Sequence, residues 1–171
     1  MKRLSYLLSG LLAFALTSCS KTVEEDSYHT LDWDSRMVEV LPDSLITGSS
    51  YLSVYSEIYS NTEARTVSLT ATISIRNIND IDTLYIQRAD LFDSNGNKVY
   101  SFTDRPVQVL PLETLELIVD QTNHQGGSGG NMIFDWSIHK GSIEPHFEAV
   151  MISTSGQQGI AFRTEAIHRK K

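Results

Sequence analysis

The sequence predicts an all-β protein, an antiparallel immunoglobulin-like β-sandwich of about seven to nine strands behind an N-terminal lipoprotein signal peptide. From Ser50 onward, apolar residues recur at every second position. Gly, Pro, Asn and Asp interrupt these runs at short intervals, and no amphipathic helix of ordinary length intervenes. At the N-terminus, Lys2 and Arg3 precede an apolar run from Leu4 to Leu16.

That run is too short for a spanning helix, which needs roughly 20 residues. It meets Leu16-Thr17-Ser18-Cys19, a small-residue cleavage site ending in the only cysteine of the chain. Leu-Thr-Ser-Cys resembles the bacterial lipobox, in which the cysteine is acylated and becomes the new N-terminus. Cys19 is therefore the expected lipidation site, and the membrane is expected to hold the protein through N-terminal acyl chains. Several chains together hold stably where one holds only reversibly. The expected location is the bacterial cell envelope, at the outer membrane in a Gram-negative organism.

Loss of Lys2 and Arg3 would leave 12 basic against 21 acidic side chains, a net charge of −9. A charge of that sign argues against nucleic acid as a partner and against a polybasic dock on anionic headgroups. The expected organisation is a signal peptide over 1–18, a lipidated acidic tether over 19–49, a β-sandwich over 50–167 and a basic tail over 168–171. The tether is acidic and lacks a sustained period, although Leu31-Trp33 and Met37 to Leu41 offer material for an edge strand.

Within the domain, Thr66 to Arg76 alternates most clearly. Val67, Leu69, Ala71, Ile73 and Ile75 point one way, and Ser68, Thr70, Thr72, Ser74 and Arg76 the other. Further strands are predicted over 52–59, 83–92, 98–102, 107–110, 115–119, 132–138, 147–153 and 160–163. Asn95-Gly96 supplies the positive φ angles of a hairpin turn. Trp136 is expected in the core with Phe134 and Ile138.

Five runs carry a resemblance to a family known as domain of unknown function 3124, found in bacterial secreted proteins and lipoproteins. They are Val54-Tyr55-Ser56 with Ile58-Tyr59, Leu69 through Asn77, Asp93-Ser94-Asn95-Gly96, Gly126-Gly127-Ser128-Gly129 with Asn131, and Glu148 through Ile152 leading into Gln157-Gln158-Gly159-Ile160. The resemblance covers about 50 to 163. It implies a secreted β-domain and brings no assigned activity.

Candidate chemistry is sparse. Gly126 to Gly130 matches G-x-S-x-G around Ser128, but a strand-like run follows where a nucleophile elbow needs a helix. The loop reads better as a connection, with an anion-holding nest of glycine N–H groups as the alternative. Its ligand would be a small molecule, glycan or calcium ion held with Gly126, Gly127, Ser128, Gly129, Asn131, Gln157 and Gln158. No two of His29, His124, His139, His146 and His168 have the spacing of a metal-binding pair, so no metal and no cofactor is expected. Asp93 to Asn97 opens like a calcium loop but places Lys98 where glycine is required, which leaves the hairpin reading and, more weakly, a calcium contact with Asp80 and Asp82. Tyr51, Tyr55 and Tyr59 would share one strand face with Ser53 and Glu57. Packing under a loop is the simpler role for them, and a binding stripe for a protein or sugar the sharper one. The expectation is a non-catalytic module that binds an envelope protein partner through loops, an edge strand or the tyrosines.

Overall fold

The computed structural model describes residues 28–30, 32–154 and 159–170. The signal peptide, Cys19, Gln157 and Gln158 lie outside the described residues. Among the described residues thirteen strands form: β1 (Tyr28–Thr30), β2 (Leu45–Ser53), β3 (Glu57–Ser60), β4 (Thr62–Ser68), β5 (Thr70–Arg76), β6 (Leu84–Phe92), β7 (Lys98–Ser101), β8 (Val107–Val109), β9 (Thr114–Val119), β10 (Asn131–His139), β11 (His146–Ser153), β12 (Ile160–Glu165) and β13 (Ile167–His168). One sheet runs β1-β9-β5-β11-β12 and the other β13-β2-β10-β6-β7, with β8 also on β6. Every pairing is antiparallel.

The alternating residues of both sheets fill one core. Leu69, Ala71, Ile73 and Ile75 of β5 are buried, as are Leu117 of β9 and Leu84 and Ile86 of β6. Phe134 of β10 stacks on Phe147 of β11 with ring centroids 4.5 Å apart, joining the two layers. Each such side chain contributes about 1.5–3 kcal/mol on leaving water. Trp136 is buried in the same row, its Nε1–H donating to Ser50 Oγ at 3.0 Å.

Two predicted runs are broken. The strand expected over 52–59 stops at Ser53 and resumes at Glu57 in a separate hairpin with β4. The N–H groups of Val54 and Ser56 donate to the carbonyls of Gly130 and Gly127, at 2.9 and 3.2 Å, which turns the chain out of the sheet. The run expected over 66–76 breaks at Leu69, whose N–H donates to Ser56 O at 2.8 Å.

The domain also begins earlier than residue 50. Tyr28 and Thr30 pair with Val119 and Leu117, Tyr28 stacks on Tyr100 at 4.1 Å, and Trp33 is fully buried. Two aromatic side chains supply enough apolar area to bind this segment to the sandwich without any local period. At the other end, His168 pairs with Ser50 and the Arg169 N–H donates to Ser49 O at 2.8 Å. His168, expected in a basic tail, belongs to strand β13. No helix among the described residues is long and apolar enough to cross a membrane.

Candidate functional site

Three loops meet at one end of the sandwich: 77–83 between β5 and β6, 110–113 between β8 and β9, and 140–145 between β10 and β11. Strand pairing brings them together, because Arg76 faces both Thr114 and His146 across the sheet, while Leu84 faces Val109. These loops expose Ile78, Ile81, Leu110, Leu112 and Ile143, with exposures from 43% to 84%. Single exposed aliphatics are ordinary on any surface; here five stand on three loops that meet at one end of the domain.

The loops do not stand apart. Asn77 and Asn79 are buried between them. Asn77 Nδ2 donates to Asp82 O at 2.7 Å and to Val109 O at 3.0 Å, and its Oδ1 accepts from the N–H and the Nδ2 of Asn79. Asn79 Nδ2 reaches Ile143 O at 2.9 Å, the Ile143 N–H returns to Asn79 Oδ1 at 2.6 Å, and the Leu112 N–H donates to Asn79 O at 3.1 Å. One asparagine pair therefore fixes the backbones of all three loops with buried, mutually satisfied hydrogen bonds. Ser142 Oγ–H adds a bond to Asp82 Oδ2 at 2.7 Å.

Leu112 is held in an unfavourable backbone conformation. The Glu113 N–H donates to Leu110 O across a turn with Pro111 second and Leu112 third, and Leu112 has φ +58°. That third position, with positive φ, favours glycine or asparagine. A leucine there costs on the order of 1–2 kcal/mol in backbone strain. It is also 67% exposed, so burial within this fold does not offset the cost.

The residues singled out from the sequence lie elsewhere. Tyr51, Tyr55 and Tyr59 do not form one stripe, because the strand that would align them is broken. Tyr51 sits in β2 opposite Ile133 and Ile167, Tyr55 packs near the Phe162 ring at 5.9 Å, and Tyr59 is exposed on the β3–β4 hairpin. The glycine loop is a close-packed connection. A Cβ on Gly126 would lie 2.6 Å from Ser56 Oγ, and one on Gly130 would lie 2.6 Å from Val54 O. Two of its N–H groups are engaged, Gly127 to His124 O and Gly129 to Ser94 Oγ, leaving less of a nest than the sequence suggests. Ser128 is followed by strand β10, which Asn131 opens. Asp93 Oδ1 accepts the N–H groups of Asn95 and Asn97 at 2.8 Å each, as a hairpin turn does. The Asn97 side chain, whose Nδ2 donates to Asp93 Oδ2 at 3.0 Å, and then these N–H groups hold its carboxyl below the usual carboxylate range.

A polar cleft of about 500 Å³ opens beside β13, lined by Thr47, Ser49, Gln87, Asp135, Arg169 and Lys170. Its groups bond mainly to the protein itself: Arg169 Nη1 to Ser49 Oγ at 3.2 Å, Ser137 Oγ to Gln87 Oε1 at 2.8 Å, and Asp135 to Arg88 at 3.5 Å. No group of three or more His, Cys, Asp or Glu among the described residues is placed to hold a metal ion.

This cap of three loops was missed because a loop has no period to read. Its signal was composition: Asn77-Ile78-Asn79-Asp80-Ile81-Asp82, Leu110-Pro111-Leu112 and Gly141-Ser142-Ile143 place large aliphatics among turn formers. Such positions are ordinarily polar.

These features define an antiparallel β-sandwich domain with five exposed aliphatic side chains on the three loops at one end, besides others such as Val40, Val150, Ile152 and Ile167 elsewhere on its surface. The chain belongs to the family described as "Protein of unknown function (DUF3124)", whose model matches residues 47–168. No curated protein matches it. A solved structure, "Crystal Structure of Thermotoga maritima 1070", is similar with a TM-score of 0.44 and 10% identity, over 74% of this chain and 96% of that one.

Proposed function

We propose that this protein is a lipid-anchored, non-catalytic β-sandwich of the bacterial cell envelope that binds a protein partner through its aliphatic cap. The lipobox-like Leu16-Thr17-Ser18-Cys19 supports the anchor. The observation that carries the binding role is the cap itself, five exposed aliphatics on three loops held by Asn77 and Asn79. Burying such side chains would contribute about 1 kcal/mol each or somewhat more. Loops already fixed by hydrogen bonds lose little further freedom on docking, so more of that contribution appears as affinity.

The test is a photocrosslinking amino acid placed at Ile81, and separately at Tyr59, in the full lipidated chain in its own cells. Both positions are exposed, at 84% and 63%, and they lie on opposite ends of the domain. A discrete adduct from position 81, at least several times stronger than any from position 59, is the expected result. Equal, diffuse labelling from both positions would remove the cap as the binding surface.

A further inference from the structure

We infer that the cap is received by an apolar depression flanked by basic side chains, on a protein that stands away from the anchoring membrane. The inference rests on the partner-binding reading above and adds the chemistry and position of the partner.

Position follows from where the chain enters the sandwich. Tyr28 pairs with Val119, which also faces Ala71 near the start of β5. The cap loops leave from the other end of that strand, beyond Arg76. A seven-residue strand such as β5 separates the two ends by about 20 Å, before the loops are added. Residues 20–27 separate Cys19 from Tyr28, a link of at most about 30 Å. Bringing the cap down to its own bilayer would use nearly all of that length to run the chain back along the domain. With the link relaxed, the cap faces outward.

Chemistry follows from the charges beside the aliphatics. The three loops hold Asp80, Asp82, Glu113 and Glu144 against Lys140 alone. Arg36 pairs with Glu113 at 2.6 Å, while Glu144 has only the His168 imidazole at 2.8 Å, so Asp80, Asp82 and Glu144 set the local sign around the aliphatics. The whole chain carries −7. Phosphate-rich lipid and a second copy of this chain would both meet like charge there, whereas a basic rim would be attracted and correctly registered.

The test combines two probes of the full lipidated chain. An Ile81→Cys variant carries one thiol besides Cys19, which acylation would block, so an environment-sensitive fluorophore can be attached at position 81 alone. In vesicles of phosphatidylethanolamine and phosphatidylglycerol, three parts to one, its emission should stay that of a water-exposed dye. In cells, crosslinks from position 81 should map to another protein, at apolar residues neighboured by Lys or Arg. Asp80→Lys should lower the yield roughly fivefold, and Asp80→Asn by less. A blue shift in vesicles would make lipid the occupant. Adducts joining two copies would make it the chain itself, and a yield indifferent to Asp80→Lys would remove the basic rim. Absence of any adduct from position 81 is a separate failure, which overturns the partner-binding reading along with this one.

Discussion

Gly48→Ala is expected to destabilise the domain by about 3 kcal/mol, at the upper end of what overpacking costs. An added Cβ would lie 2.2 Å from Trp136 Cζ2 and 2.3 Å from Cη2, closer than atoms can approach. The indole has nowhere to withdraw. It is 2% exposed, its Nε1–H is committed to Ser50, and His168 packs edge-on at 5.7 Å. Urea denaturation of Gly48→Ala beside Thr47→Ala separates this contact from a general intolerance of strand β2. Adding Trp136→Phe to Gly48→Ala should recover part of the loss, because the two residues are coupled through one contact. A Gly48→Ala protein within about 0.5 kcal/mol of the parent, the range of an ordinary surface change, would mean the ring can move aside.

Cys19→Ser should have the largest effect on the intact protein. Mass spectrometry of the natural chain should find a mature N-terminus at residue 19 that carries acyl chains. The variant should lose the acyl mass completely and pass from the detergent-rich to the aqueous phase in a phase-partition experiment. Each buried methylene is worth about 0.8 kcal/mol, so removing several acyl chains leaves no comparable attachment. An unacylated natural chain beginning elsewhere would end the lipoprotein reading while leaving the sandwich untouched.

The strands were legible because burial on one face imposes alternation. Ile73 and Ile75 inside, with Thr72 and Ser74 outside, can be read from β5 without a structure. Breaks in a strand leave weaker traces. Val54 to Ser56 keep the alternation of β2 and β3, yet they bond to Gly127 and Gly130, about 70 positions away. The same tertiary pairing dissolved the supposed tyrosine stripe. Leu31-Trp33 offers edge-strand material in the sequence, but Tyr28 reads as part of an acidic tether, because local composition outweighs one aromatic whose stacking partner, Tyr100, is distant in sequence. The cap was hidden for a related reason: Asn77 and Asn79 look like turn formers, and only the fold shows them joining three loops.

The central claim is that the cap exists for a partner rather than for the fold, and Leu112→Gly tests it most directly. Glycine removes the strain at φ +58° and the exposed side chain together. Stability should hold within about 1 kcal/mol or rise, while the crosslinking yield from position 81 falls several-fold. A variant that loses stability and keeps its yield would show that Leu112 serves the sandwich, and would contradict the account.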